Sequence, residues 1–271
     1  MPRRTEGIVS IDDETKTTHG VGSARRALQL LLAFTPESPR HTPADLAVLL
    51  GLPMGSIYRY TALFRELGML EDGPGSQLQL TPRILPTARA AMVVQNAVAI
   101  ASPFVHALAL EVGESVMLTR QAGNVAVCML SIPSPHALRL DFPVGHIFEF
   151  GAGATTRMLL AMMSDDERQR RIEVLPQDAQ PDLVEIDRTG ARGWSTSEQE
   201  LEPGVWACAV GLGLVGQPPM TITVAGPEFR LSPAARERII ERAAESVAQI
   251  TAAWLSKPVE AQPRSAETIS G

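Results

Sequence analysis

Thr42-Pro-Ala-Asp-Leu-Ala-Val-Leu-Leu-Gly-Leu-Pro-Met-Gly-Ser-Ile-Tyr-Arg-Tyr60 decides how this 271-residue chain is read. Thr42 is an N-cap residue, Pro43 fits the first helical position, and Asp45 is placed to close a capping box. The helix runs through Leu46, Ala47, Leu49 and Leu50 and stops at Gly51, which enters a left-handed C-cap without strain. Leu52-Pro53 makes a short turn. A second helix then sets Ile57, Tyr60, Thr61, Phe64 and Leu67 on one side, with Gly68 as its stop. Ala47, Gly51 and Ile57 have three separate jobs: a small contact residue, a turn, and a branched anchor beneath the second helix.

Working outward, an upstream helix begins at Ser23, with Leu28, Leu31 and Leu32 at helical spacing, and the prolines at 36 and 39 end it. Downstream, Met69-Leu-Glu71, the turn Asp72-Gly-Pro-Gly-Ser76 and Gln77-Leu-Gln-Leu80 read as a β-hairpin. Three helices and a hairpin within residues 23–82 describe a winged helix-turn-helix domain. The outward face of its third helix would be Gly55, Ser56, Tyr58, Arg59, Ala62 and Arg65. Small residues permit close approach to a groove. Arg59 can hold guanine O6 and N7 together, whereas Ser56 and Tyr58 suit phosphates. Arg25, Arg26 and the helix terminus at Thr42 are placed to touch the DNA backbone. The hairpin loop carries no Lys or Arg, so the wing adds little. A three-helix protein-interaction module is the alternative reading.

Residues 1–22 are polar and aperiodic and read as a flexible arm, and 258–271 as a flexible tail. An Ala-rich linker helix is expected over 83–101, best defined from Thr87 to Ala101, with Ser102-Pro103 opening a fresh helix or a kink. Beyond Gly113, short strand-like runs at Ser115–Gln121, Val125–Ile132, Leu138–Val144, Val205–Leu214 and Met220–Ala225 alternate with helices near Ala154–Met163 and Pro181–Gly190. A capping box at Ser164-Asp-Asp-Glu167 opens another helix. Ser232-Pro233 caps a long final one bearing Ile240, Ala243, Val247, Ile250 and Trp254. Residues 102–257 therefore read as an α+β domain with a mostly antiparallel sheet.

Composition excludes several classes. Apolar residues make up 45% and charged residues 20%, as in ordinary globular domains. No run approaches the roughly 18 apolar residues a membrane span needs, and the N-terminus has no signal core, so a cytoplasmic protein is expected. Residues 1–90 hold 10 basic and 9 acidic side chains, and of 24 basic residues only Lys16 and Lys257 are lysines. Two cysteines, Cys128 and Cys208, and five scattered histidines offer no metal set, so neither metal nor cofactor is expected. Gly211-Leu-Gly-Leu-Val-Gly216 spells a dinucleotide fingerprint, but prolines and a β-rich run follow instead of a helix, so it reads as a hairpin. Gly151-Ala-Gly-Ala-Thr-Thr156 opens a helix and either offers amides to an anion or is a tight turn.

The chain resembles the IclR family of bacterial transcription regulators over nearly all of Ser23 to Lys257. The likeness rests on Ala44–Tyr60, on Gly193-Trp-Ser-Thr-Ser-Glu-Gln-Glu-Leu-Glu-Pro-Gly204, on Val224-Ala-Gly-Pro-Glu-Phe-Arg-Leu-Ser232, and on Gly113-Glu114 and Ala154–Ala161. The resemblance implies a GAF-like C-terminal domain that binds small organic or aromatic acids, in a homodimer or tetramer that binds double-stranded operator DNA. It places Leu138, Phe150, Ala154, Thr155, Ser197, Ala207 and Thr223 around the effector. Ser197 stands where Asp is frequent, Ala225 where Ser occurs, Thr156 where Gly is usual, and Met54 where Lys is common. These departures imply a larger or more apolar effector. The rival expectation is an enzyme using Glu198 or Glu200 as base, but it lacks a nucleophile, metal cluster or cofactor loop.

Overall fold

The computed structural model describes residues 21–93 and 96–256 and divides into two compact units on either side of residues 95 and 96. The expected arm lies outside the described residues apart from Val21 and Gly22, and the expected tail lies outside them entirely.

The first unit comprises α1 (Gly22–Leu32), β1 (Arg40–His41), α2 (Pro43–Leu50), α3 (Met54–Glu66), β2 (Leu70–Asp72), β3 (Leu78–Leu80) and α4 (Leu85–Val93). The start of α2 is the expected capping box. The backbone N–H of Asp45 donates to Thr42 Oγ1 at 3.1 Å, and that of Thr42 donates to Asp45 Oδ2 at 2.9 Å. Gly51 ends α2 at φ 60°, and α3 leaves at 117° to α2, the sharp crossing of a helix-turn-helix. Leu30, Leu46, Ile57 and Leu78 are fully buried at its centre, each contributing about 1.5–3 kcal/mol through burial. β3 is the middle strand of a three-stranded antiparallel sheet, with β1 on one side and β2 on the other.

Three sequence expectations need correction here. In α1 the buried face is set by Leu30 and continues through Ala33 and Phe34, while Leu28 and Leu32 are exposed. Leu67 is 45% exposed, because α3 ends there and Leu70 of the hairpin takes over the core. The third strand, β1, was not foreseen, since two residues carry no periodicity.

The second unit opens with α5 (Asn96–Val112), which runs without interruption through Pro103. Of the linker helix expected over 83–101, the described residues from Leu85 onward lie in α4 and α5, and no helix begins at Ser102. Six antiparallel strands follow in spatial order β6-β5-β4-β9-β8-β7: β4 (Ser115–Ala122), β5 (Val125–Ile132), β6 (Ile147–Glu149), β7 (Trp194–Glu198), β8 (Val205–Leu212) and β9 (Met220–Pro227). Between β6 and β7 come α6 (Ala154–Ala161), α7 (Asp165–Glu173) and α8 (Leu183–Arg192), and α9 (Pro233–Ser256) closes the unit.

Strand alternation gives this sheet two unequal faces. Val116, Leu118, Ile222, Val224, Cys208 and Val210 pack against α5 and α9, where Val105, Leu108, Ile239, Ala243 and Ile250 meet them. The opposite face carries small and hydroxyl side chains, among them Ser115, Thr119, Thr221, Thr223, Ala207, Ala209 and Gly211, beneath α6.

The strand expected at Leu138–Val144 is not formed. Its carbonyls are claimed by side chains instead: Arg230 donates to Leu138 O, Ser115 to Leu140 O and the Cys128 thiol to Phe142 O. Leu140 and Phe142 still pack on the sheet. Gly211 lies in β8 and the glycines after it in the β8–β9 connection, so the fingerprint-like run is part of a hairpin.

Candidate nucleic-acid interface and buried sheet site

On α3, Ile57, Tyr60, Thr61 and Phe64 point into the domain core, and Gly55, Tyr58, Arg59, Ala62 and Arg65 point outward. Ser56 is half-buried. Helical spacing fixes this division, because the four buried residues recur every three or four positions. The Arg59 guanidinium lies 5.5 Å from the Tyr60 ring and has no acidic partner among the described residues. On α1, Arg26 is exposed and Arg25 half-buried.

A groove of about 630 Å³ runs between the start of α2, α3 and the β2–β3 wing. It is lined by Thr42, Tyr58, Arg65, Asp72 and Ser76 among others. Arg65 is not free in it: its Nη2 is ion-paired with Asp72 Oδ1, and both side chains face solvent. The wing thus contributes an acid to this surface and no base. Asp45 closes the cap on Thr42, which lines the groove. The Thr42 backbone N–H, and then the Thr42 hydroxyl, hold its carboxyl below the ordinary range.

In the second unit, six of the seven residues expected around an effector lie in α6, beneath it or beside it. Thr155 and Thr223 share a hydrogen bond at 2.9 Å, both buried. Ala154 packs against Ala209 with Ala207 alongside, and Ser197 is the cross-strand partner of Ala207. Phe150 belongs to the adjoining apolar cluster. Leu138 stands apart: its side chain is 60% exposed, and only its carbonyl is engaged, by Arg230.

The glycine turn before α6 holds an anion supplied by the chain itself. Gly153, at φ 85°, donates its backbone N–H to Glu200 Oε2 at 2.9 Å. Arg157, one turn into α6, donates to the same oxygen at 2.6 Å and to the Thr196 carbonyl at 2.6 Å. Leu201 covers Gly153 so closely that a Cβ there would meet it at 2.9 Å. Sequence reasoning missed Arg157. Its signal was a lone cation in the apolar run Met158-Leu-Leu-Ala161.

The carboxylates considered as a catalytic base are both ion-paired. Glu198 accepts from Arg236 at 2.9 Å, which keeps its pKa below the ordinary value, and Glu200 is held as described. Burial pushes Cys128 up to about 11 and Cys208 up to about 12, so neither is a thiolate. Among the described residues no three His, Cys, Asp or Glu side chains converge as a metal set would require.

Two family models match the chain: the IclR helix-turn-helix domain over residues 23–74, and the bacterial transcriptional regulator IclR C-terminal domain over residues 89–252. The chain belongs to the IclR family. One relative is the HTH-type transcriptional regulator KipR of Bacillus subtilis, 25% identical over 238 residues, which cover 83% of this chain and 94% of KipR. An IclR-family transcriptional regulator from Brucella abortus shares the fold at a TM-score of 0.75 and 23% identity, over 89% of this chain and 95% of its own. An IclR homologue from Microbacterium hydrocarbonoxydans, solved in complex with 4-hydroxybenzoate, matches at a TM-score of 0.70 and 17% identity, over 87% and 100% of the two chains. This IclR-family protein is a transcriptional regulator with a DNA-binding helix-turn-helix domain, and not an enzyme. No single helix among its described residues is long and apolar enough to cross a membrane.

Proposed function

We propose that this IclR-family regulator binds operator DNA as a two-fold particle in the cytoplasm, a dimer or tetramer, with one α3 in the major groove of each half-site. The carrying observation is the outward face of α3, where Gly55 and Ala62 leave room and the Arg59 guanidinium has no acidic partner among the described residues. Ser56, Tyr58, Arg25, Arg26, Arg65 and the α2 terminus at Thr42 supply phosphate contacts in this reading.

A small organic acid with an aromatic or otherwise apolar body is the effector, bound on the hydroxyl-bearing face of the C-terminal sheet. Thr155, Thr223 and Ser197 supply the hydrogen bonds, and Phe150, Ala154 and Ala207 the apolar contact. The 4-hydroxybenzoate held by the Microbacterium homologue supports this class. Effector binding favours one arrangement of the C-terminal domains, and α4 and α5 pass this to the spacing of the two α3 helices. The response is bounded by the effector's differential affinity for the two arrangements.

Mobility-shift assays on DNA upstream of the coding sequence, with and without aromatic acids, test the reading. Salt-dependent, sequence-specific retardation that an acid alters is expected. Retardation no stronger than on scrambled DNA would overturn it.

A further inference from the structure

Two buried hydroxyls remain unused at the centre of the C-terminal sheet. Thr119 of β4 and Thr221 of β9 are direct cross-strand partners, both at 0% exposure, and neither Oγ1 has a hydrogen-bond partner among the described residues. They lie on the face beneath α6, because they alternate with Leu118 and Ile222, which belong to the α5–α9 core. A buried hydroxyl without a partner opposes folding, and two side by side double that cost. Valine has nearly the same shape and would avoid it.

The packing beside Thr221 is soft. Gly211 of β8 pairs with Thr221 and presents no side chain, and Met158 of α6 and Met162, just past its end, fill the space over it. A Cβ on Gly211 would meet Met162 Sδ at 2.8 Å and Met158 Cε at 3.0 Å. Methionine is unbranched and rearranges easily within a core. Farther along β4, the Gln121 amide is already spent on Glu167. Toward the other end of β9, the next residue on this face is Thr223, paired with Thr155. Two strand positions set the Thr119–Thr221 pair about 7 Å from that Thr155–Thr223 pair.

We infer that Thr119 and Thr221 form the inner anchor of the effector site, taking a neutral hydroxyl or carbonyl group at the end of the ligand opposite its carboxylate, with Met158 and Met162 moving aside to admit it. This rests on the proposed effector site and extends it with residues that discriminate among acids. A hydroxyl pair can both donate and accept but carries no charge. It therefore selects neutral polar ends and rejects an apolar end that would leave both hydroxyls unbonded.

The test compares benzoate with 4-hydroxybenzoate by calorimetry on the full-length protein and on a Thr119→Val/Thr221→Val double variant. The wild type should bind 4-hydroxybenzoate at least about tenfold more tightly than benzoate. The double variant should lose most of that preference and melt no lower than wild type. Equal affinity of the wild type for the two acids overturns the inference while leaving the outer site standing. Binding of neither acid overturns it too, and the operator assay then judges the regulator reading separately. A double variant that melts lower yet keeps the preference shows hydroxyls bonded within the fold, and also overturns it.

Discussion

Glu200 caps the helix that begins at Gly153. Its carboxylate accepts the Gly153 backbone N–H at 2.9 Å from 47 residues away, where α6 has no side-chain cap of its own. The same oxygen holds Arg157, whose side chain is only 18% exposed. The loop between β7 and β8 is thereby tied to the start of α6, directly beside the Thr155–Thr223 bond.

Replacing Glu200 by Ala removes a cap and strands a largely buried guanidinium, so the second unit should lose about 2–3 kcal/mol. All three tryptophans lie in that unit, at 194, 206 and 254, so urea unfolding followed by their fluorescence reads it selectively. Glu200→Gln, which keeps an acceptor for Gly153, should lose less. Equal midpoints for Glu200→Ala and wild type would show that the tie contributes nothing.

Arg59→Ala should weaken specific operator binding by about 1–3 kcal/mol and relax the sequence preference at one position. Arg26→Ala should instead weaken binding to all sequences and shallow the salt dependence by about one contact. Fluorescence anisotropy across a salt series separates the two. An Arg59→Ala protein that binds its operator as wild type does would remove α3 from the groove.

The ion pair between Arg65 and Asp72 makes a prediction of opposite sign. Asp72→Asn frees a guanidinium and deletes an acid from the same groove. DNA affinity should rise, and the log–log salt slope should steepen by about 0.9, as one acid no longer offsets the Arg65 charge against the phosphates. Thermal stability should shift by less than about 1 kcal/mol, because the pair is exposed. An unchanged slope would place Arg65 away from the duplex.

Asp45 bears on acid sensitivity. Its folded pKa is depressed, first by the Thr42 backbone N–H and then by the Thr42 hydroxyl. The capping box therefore contributes fully above the unfolded value near 4, and its contribution fades as pH falls through the lower folded value. A carbon-detected NMR titration of the Asp45 carboxyl should give a midpoint below that of an unfolded peptide. Thr42→Ala should move it upward. A midpoint at or above the peptide value would rule the box out in solution.

The helix-turn-helix was legible because its signals are local. Thr42, Pro43, Asp45 and Gly51 each act within a few residues, and the structure uses each as its chemistry requires. Signals that depend on distant partners were not legible. Leu138–Val144 alternates like a strand, yet Arg230, Ser115 and Cys128 draw its carbonyls elsewhere. The glycine turn at 151–153 was readable as an anion cradle, but not its occupant, because Glu200 arrives from another loop. Arg65 was legible as outward-facing, while its pairing with Asp72 required the wing to fold back beside α3. Pro103 reads as a boundary, yet α5 continues through it because burial of Ala97, Ile100, Ala101, Val105 and Leu108 outweighs one missing backbone donor.

The two faces of the six-stranded sheet divide labour in a way that bears on how such a molecule can change over generations. Branched and aromatic side chains that exclude water sit against α5 and α9, so exchanges there are felt by the whole unit. The side beneath α6 is rich in Ser, Thr, Ala and Gly, with Met117 among them, and in the proposed effector site one added or removed oxygen there would alter recognition and leave the scaffold upright. A lineage can therefore acquire a new chemical signal by point changes on one surface of a single sheet while inheriting its architecture from the other.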